Sequence, residues 1–78
     1  MGTKLNPSNY DCYMNAEADE PMFTLLARDI TAPATVRSWA LQRAADIAVG
    51  NKPQIDQAMV DEAMACADAM EAWRKVNR

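Results

Sequence analysis

Seventy-eight residues make one domain, near the size at which a single hydrophobic core becomes marginal and staples or association between copies are the usual remedies. Half of the residues are hydrophobic, but many of these are alanine and the only rings are two Trp, two Tyr and one Phe, so the core is expected to be thin and burial between copies would complete it. The net charge of −3 falls mainly on residues 1–30, with two basic and five acidic side chains; this argues against a duplex nucleic-acid binder, because neutralising phosphates takes a clustered basic surface.

Histidine is absent, which removes the common zinc sites and every histidine-dependent catalytic arrangement. No apolar run approaches the roughly 20 residues that span a bilayer. The start "MGTKLN" lacks a signal-peptide apolar region, and Asn6 stands where a myristoylation signal has Ser or Thr. A cytoplasmic protein without a membrane partner is expected, with Cys12 and Cys66 as free thiols and Cys66 as a small core residue.

In chain order, residues 1–30 form an acidic N-terminal segment and residues 31–78 a helical hairpin. Asn6-Pro7 can open a short helix carrying Tyr10 and Met14. The stretch "MFTLLARD" reads as a short strand, with Phe23, Leu25 and Ala27 alternating against Met22, Thr24 and Leu26, or as a helical turn after Pro21. A strand would need a partner from a second copy, so helix or irregular packing over 21–28 is favoured.

The middle element is a helix over about 32–49. Thr31 is a capping type, Pro33 fits the first turn and Gly50 is a typical residue just past a C-terminus. Its apolar stripe is Ala32, Val36, Trp39, Ala40, Ala44 and Ile47, with Arg43 inside it. The last helix, about 53–76, carries Ile55, Met59, Ala63, Cys66, Met70 and Trp73 on one face and Gln57, Asp61, Asp68 and Lys75 opposite. Asn51 can cap it, and Arg74, Lys75 and Arg78 suit the negative end of its dipole. The short "GNKP" connection makes the two helices antiparallel neighbours. The expected fold is therefore mainly α: a helical hairpin with a short N-terminal helix or strand packed on it.

Several residues could carry chemistry. Trp39 and Arg43, one helical turn apart, form a stacking and charge platform able to hold a planar anionic ligand. The plainer reading, which we favour on the sequence, has Arg43 lying along the hairpin and pairing with Asp46 or an N-terminal acid. Arg28 and Arg37 are further candidates for an anionic ligand. The acids Asp11, Glu17, Asp19 and Glu20 could meet a protein partner or mimic phosphates, but "EADEP" lacks the alternating acids and central glycine of a calcium loop, so no metal is expected. Tyr10 and Tyr13 flank Cys12, whose acidic neighbour Asp11 opposes thiolate formation, and the tyrosines are expected to cover the hairpin. No acid pair is placed in an apolar pocket by helical spacing, so neither an enzyme nor a cofactor is expected.

The stretch "YDCYMNAEADEPMFTLLARDITAPATVRSWA", followed by "ACADAMEAWR", resembles a family of small proteins encoded by bacteriophages and prophages, with YDCY, DEPMF, LLARD, AP, WA and a CA-AM-W ending. It spans Tyr10 to Arg74. The resemblance implies a phage source and not an activity. Small accessory phage proteins often bind host components, and some block antiviral defence. Two modes suit a chain of this size: a homo-oligomer that sequesters a nucleotide signal, with Arg28, Arg37, Trp39 and Arg43 as contacts, or an acidic inhibitor that occludes a host defence protein through Tyr10, Asp11, Tyr13, Glu17, Asp19 and Glu20. The first is the leading expectation. A structural role in the virion or its assembly is a third.

Overall fold

The computed structural model describes residues 1–78 and contains helices and turns but no strand. Three α-helices follow in order: α1, Cys12–Asn15; α2, Ala32–Ala48; and α3, Gln57–Asn77. A 3₁₀ turn, Gln54–Asp56, leads into α3. The long pair α2 and α3 pack against each other as the expected hairpin.

Helix α2 ends as its sequence directs. Gly50 takes φ +84°, its N–H meets the Ile47 carbonyl at 3.1 Å, and the Asn51 N–H reaches back to Asp46 O at 2.8 Å. These are the two bonds of a Schellman motif, which satisfies carbonyls the helix end would otherwise leave free. Asn51 does not cap α3, because Pro53 and the 3₁₀ turn stand between it and the first residue of that helix, Gln57. Pro53 lies before α3 with extended dihedrals, φ −70° and ψ 150°, and the chain enters the helix through the 3₁₀ turn. The start of α2 departs from expectation too. Thr31 turns its hydroxyl back to Asp29 Oδ1, 2.8 Å, and its N–H bonds the same oxygen at 3.0 Å, so no side chain caps the helix. Those two bonds hold the Asp29 carboxyl below its ordinary range.

The seam between the helices is built from small residues. Ala32, Ala40, Ala63 and Ala67 are fully buried and Val60 nearly so; Val36, Ala44, Ile47 and Met64 pack around Ala40, Val60 and Ala63. The buried line on α3 is thus displaced by one residue from the expected stripe at two positions, Val60 and Ala67. Ile55 falls in the 3₁₀ turn and Trp73 at the edge of the seam, and both are exposed. Trp39 stands at the other margin, 38% exposed. No large side chain is fully buried.

The N-terminal segment adopts one helical turn, and it begins at Cys12 rather than Pro7. The strand alternative for 21–28 is not adopted, since no second strand exists in the chain to complete a ladder. Met1 packs against the core cluster. Its amine bonds Asp11 Oδ1 at 2.8 Å and the Glu62 carboxylate on α3, which also accepts from Ser8 Oγ. At the far end of the segment, Arg74 Nη1 donates to the Arg28 carbonyl at 2.6 Å. The segment is therefore a strap, fixed to α3 at both ends.

Candidate functional site

The residues expected to share an anionic ligand do not meet. One residue of α-helix turns the chain by about 100°, which places Arg37 and Arg43 about 120° apart around α2, on opposite flanks of the seam. Arg37 reaches α3, donating to Asp68 Oδ1 at 2.7 Å and to Glu71, and these bonds hold its guanidinium further above its already high range. Arg43 stacks on Trp39, 5.2 Å from guanidinium carbon to ring centroid, and donates to Asp56 Oδ2 at 3.1 Å. The plainer reading of Arg43 holds, with a different partner: neither Asp46 nor an N-terminal acid, but the residue that ends the 3₁₀ turn. Arg28 has an exposed side chain, and its backbone carbonyl anchors Arg74.

The acids divide in the same way. Asp11 is engaged within the chain: besides the Met1 amine it accepts from Gly2 N at 3.1 Å and Ser8 N at 2.8 Å. Hydrogen bonds from the amine and from Ser8 hold its carboxyl below the ordinary range, and the amine and Ser8 do the same for Glu62. Glu20 accepts from the Glu17 N–H at 3.0 Å, closing a turn, while the side chains of Glu17 and Asp19 form no ion pair. Tyr13 is 82% exposed and does not cover the hairpin; Tyr10 is partly covered. The reason is local: Tyr10 lies before α1 and Tyr13 within its single turn, so no helical face carries both rings toward α3. Both cysteines are free, Cys12 exposed and Cys66 half-buried; Cys66 is not a core residue, and burial beside the strap pushes its thiol up.

Two shallow clefts stand out. The first, about 340 Å³, lies at the open end of the hairpin and is lined by Ile30 and Pro33 with Arg37, Glu71, Arg74 and Lys75. The second, about 310 Å³, lies within the strap between α1 and the stretch after Glu20; Cys12, Ala16, Pro21, Met22 and Phe23 form its apolar wall and Glu20 its charged rim. By sequence Arg74 and Lys75 suit a helix dipole and Phe23 a strand or turn; in the structure they also line these clefts. The signal for the first cleft was present, since three cations of two antiparallel helices fall at the same height. Nothing local signalled the second, which exists only because the strap folds over itself.

Chemically, the first cleft favours an anion, with three cations against one acid, and the second favours an apolar side chain beside a cation. No helix is long and apolar enough to cross a membrane. Compared with known protein families, curated proteins and solved structures, the chain matches none.

Proposed function

We propose that the chain is a self-associating, non-enzymatic binding protein of bacteriophage type that inhibits a bacterial host's antiviral defence, acting in the host cytoplasm by covering a host protein with its acidic N-terminal strap. The observation that carries this reading is surface. The chain exposes 6066 Å², whereas a compact monomer of 8.6 kDa exposes about 4,700 Å². Its radius of gyration of 13.2 Å likewise exceeds the roughly 11.5 Å of a compact domain of this length. The excess, about 1,400 Å², is the scale of area that specific protein association removes from water. The strap contributes to it: Tyr13, Met14, Met22, Phe23, Leu26 and Ile30 are all exposed, and Glu17 and Asp19 supply unpaired charge. The phage-type pattern in the sequence supports the choice of target class.

A second reading, sequestration of a small anionic signal such as a nucleotide, is favoured by the cationic cleft at the open end of the hairpin. It ranks second because Arg37 already binds Asp68 and Glu71, and Arg43 binds Asp56. Any anion would have to displace those carboxylates or rely on Arg28, Arg74 and Lys75.

Native mass spectrometry of protein purified from a bacterial host, paired with plaque assays on hosts carrying defined defence systems, tests both. A ligand-free oligomer that restores plaques, and loses that effect when Glu17, Asp19 and Glu20 are reversed to lysine, is the expected result. A retained nucleotide mass, with inhibition abolished by Arg74→Ala and unaffected by the acid reversals, would replace the first reading with the second. Failure to protect phage against every system tried would overturn both.

A further inference from the structure

Resting on the self-association reading above, we infer that the apolar, basic end of α3 in one copy occupies the strap groove of a second copy. The groove presents Met22 and Phe23, the latter 84% exposed, beside the carboxylate of Glu20. The end of α3 is its complement. Trp73 and Val76, three residues apart and so on neighbouring positions of one helical face, are both exposed, Val76 by 85%. Arg78 lies over the Trp73 ring at 5.5 Å and has no carboxylate partner in its own chain. An apolar wall with one acid faces an apolar knob with one unpaired cation. Charge and hydrophobicity match in both members.

The placement of the two patches suits reciprocal contact. Asp11 beside Glu62, through the Met1 amine, and Arg28 beside Arg74 fix the strap along α3. Glu62 and Trp73, eleven residues apart, point within about 20° of one another around the helix. The strap that carries the groove thus ends at Arg74, the sequence neighbour of Trp73. A two-fold pair can then make the contact twice, each copy giving its helix end and receiving the other's, which closes the assembly. The excess surface derived above exceeds the roughly 800 Å² that each partner of an ordinary interface contributes, and Tyr13, Glu17 and Asp19 lie outside the groove, where they stay open to a host partner.

The test is sedimentation of the full chain across a concentration series, with circular dichroism as the check on folding. Phe23→Asp is expected to raise the dimer dissociation constant at least about tenfold with helicity unchanged, because the side chain is exposed in the single copy. Glu20→Lys and Arg78→Glu are each expected to weaken the dimer, and the doubly substituted chain to recover most of the loss, since the charges are then exchanged across the contact. A wild-type chain that stays monomeric at the highest concentration would sink both this pairing and the self-association reading. A dimer indifferent to Phe23→Asp, or one weakened by both charge reversals without recovery in the double variant, would overturn the pairing and leave self-association standing.

Discussion

Arg43 on α2 donates to Asp56 at 3.1 Å while its guanidinium lies 5.2 Å above the ring of Trp39. One side chain thus joins the last turns of α2 to the turn that begins α3, closing the hairpin on the side where its connection is short. Both members of the ion pair are largely covered, so the bond resists screening better than an exposed pair would.

Arg43→Ala and Asp56→Ala are each expected to lower stability by about 1 kcal/mol, and the double variant by less than their sum. Urea unfolding of the four proteins measures this. Equal stability of Arg43→Ala and wild type would return Arg43 to the pool of ligand contacts.

The strap should respond to pH at both extremes. Asp11 and Glu62 have carboxyls held below their unfolded values, so their contribution is present above the unfolded range and is lost as acid carries them through their lower folded values, below about pH 4. The Met1 amine is opposed by burial, but its bonds to Asp11 and Glu62 prevail and raise it. That contribution is full below the amine's unfolded value, near pH 8, and disappears as pH rises through the folded one. Amide exchange across residues 2–11, compared with the α2–α3 seam, should show the strap loosening first in both directions. Glu62→Gln should remove only its own share of the response to acid and leave the share carried by Asp11.

Two glycines should fail for different reasons. At Gly50 nothing crowds a new Cβ, but the backbone sits at φ +84°, so Gly50→Ala should cost about 1 kcal/mol through strain alone. At Gly2 a Cβ would stand 2.1 Å from the Asn6 carbonyl oxygen, a backbone atom that cannot step aside cheaply. Gly2→Ala should detach the Met1 amine from Asp11 with little change in the melting of the hairpin, a difference that nuclear magnetic resonance and calorimetry would separate.

The alanine seam sets a limit on side-chain volume. Ala63→Leu places three extra carbons where no space exists and is expected to destabilise by about 1–3 kcal/mol. The same substitution at Ala69, on the exposed side of α3, should be nearly silent in thermal melts.

Thiol chemistry discriminates the two cysteines. Iodoacetamide should label Cys12 well before Cys66, whose thiol is half-buried and raised by that burial. Equal rates by mass spectrometry would mean that the strap does not shield α3.

The hairpin was legible because its information is local. Periodicity places Val36, Ala40, Ala44 and Ile47 on one line, and Pro33 and Gly50 mark the ends of α2 within a few residues of where they act. The strap was not, because its anchors are remote: Met1 meets Glu62 and Arg28 meets Arg74 across most of the chain. No propensity or spacing encodes which acid a distant amine will choose. The expected ligand contacts are scattered for a related reason. Arg28, Arg37, Trp39 and Arg43 are close in sequence, but the turn of the helix sends Arg37 and Arg43 to opposite flanks, where carboxylates of α3 meet the first and one of the 3₁₀ turn meets the second.

The two-ended attachment of the strap has a kinetic meaning. A segment held at Glu62 and at Arg74 behaves toward its own hairpin as a bivalent ligand, in which each anchor keeps the other at high effective concentration. Losing either one briefly leaves the segment tethered and quick to return, so the strap stays closed on its hairpin far longer than either bond alone would hold it.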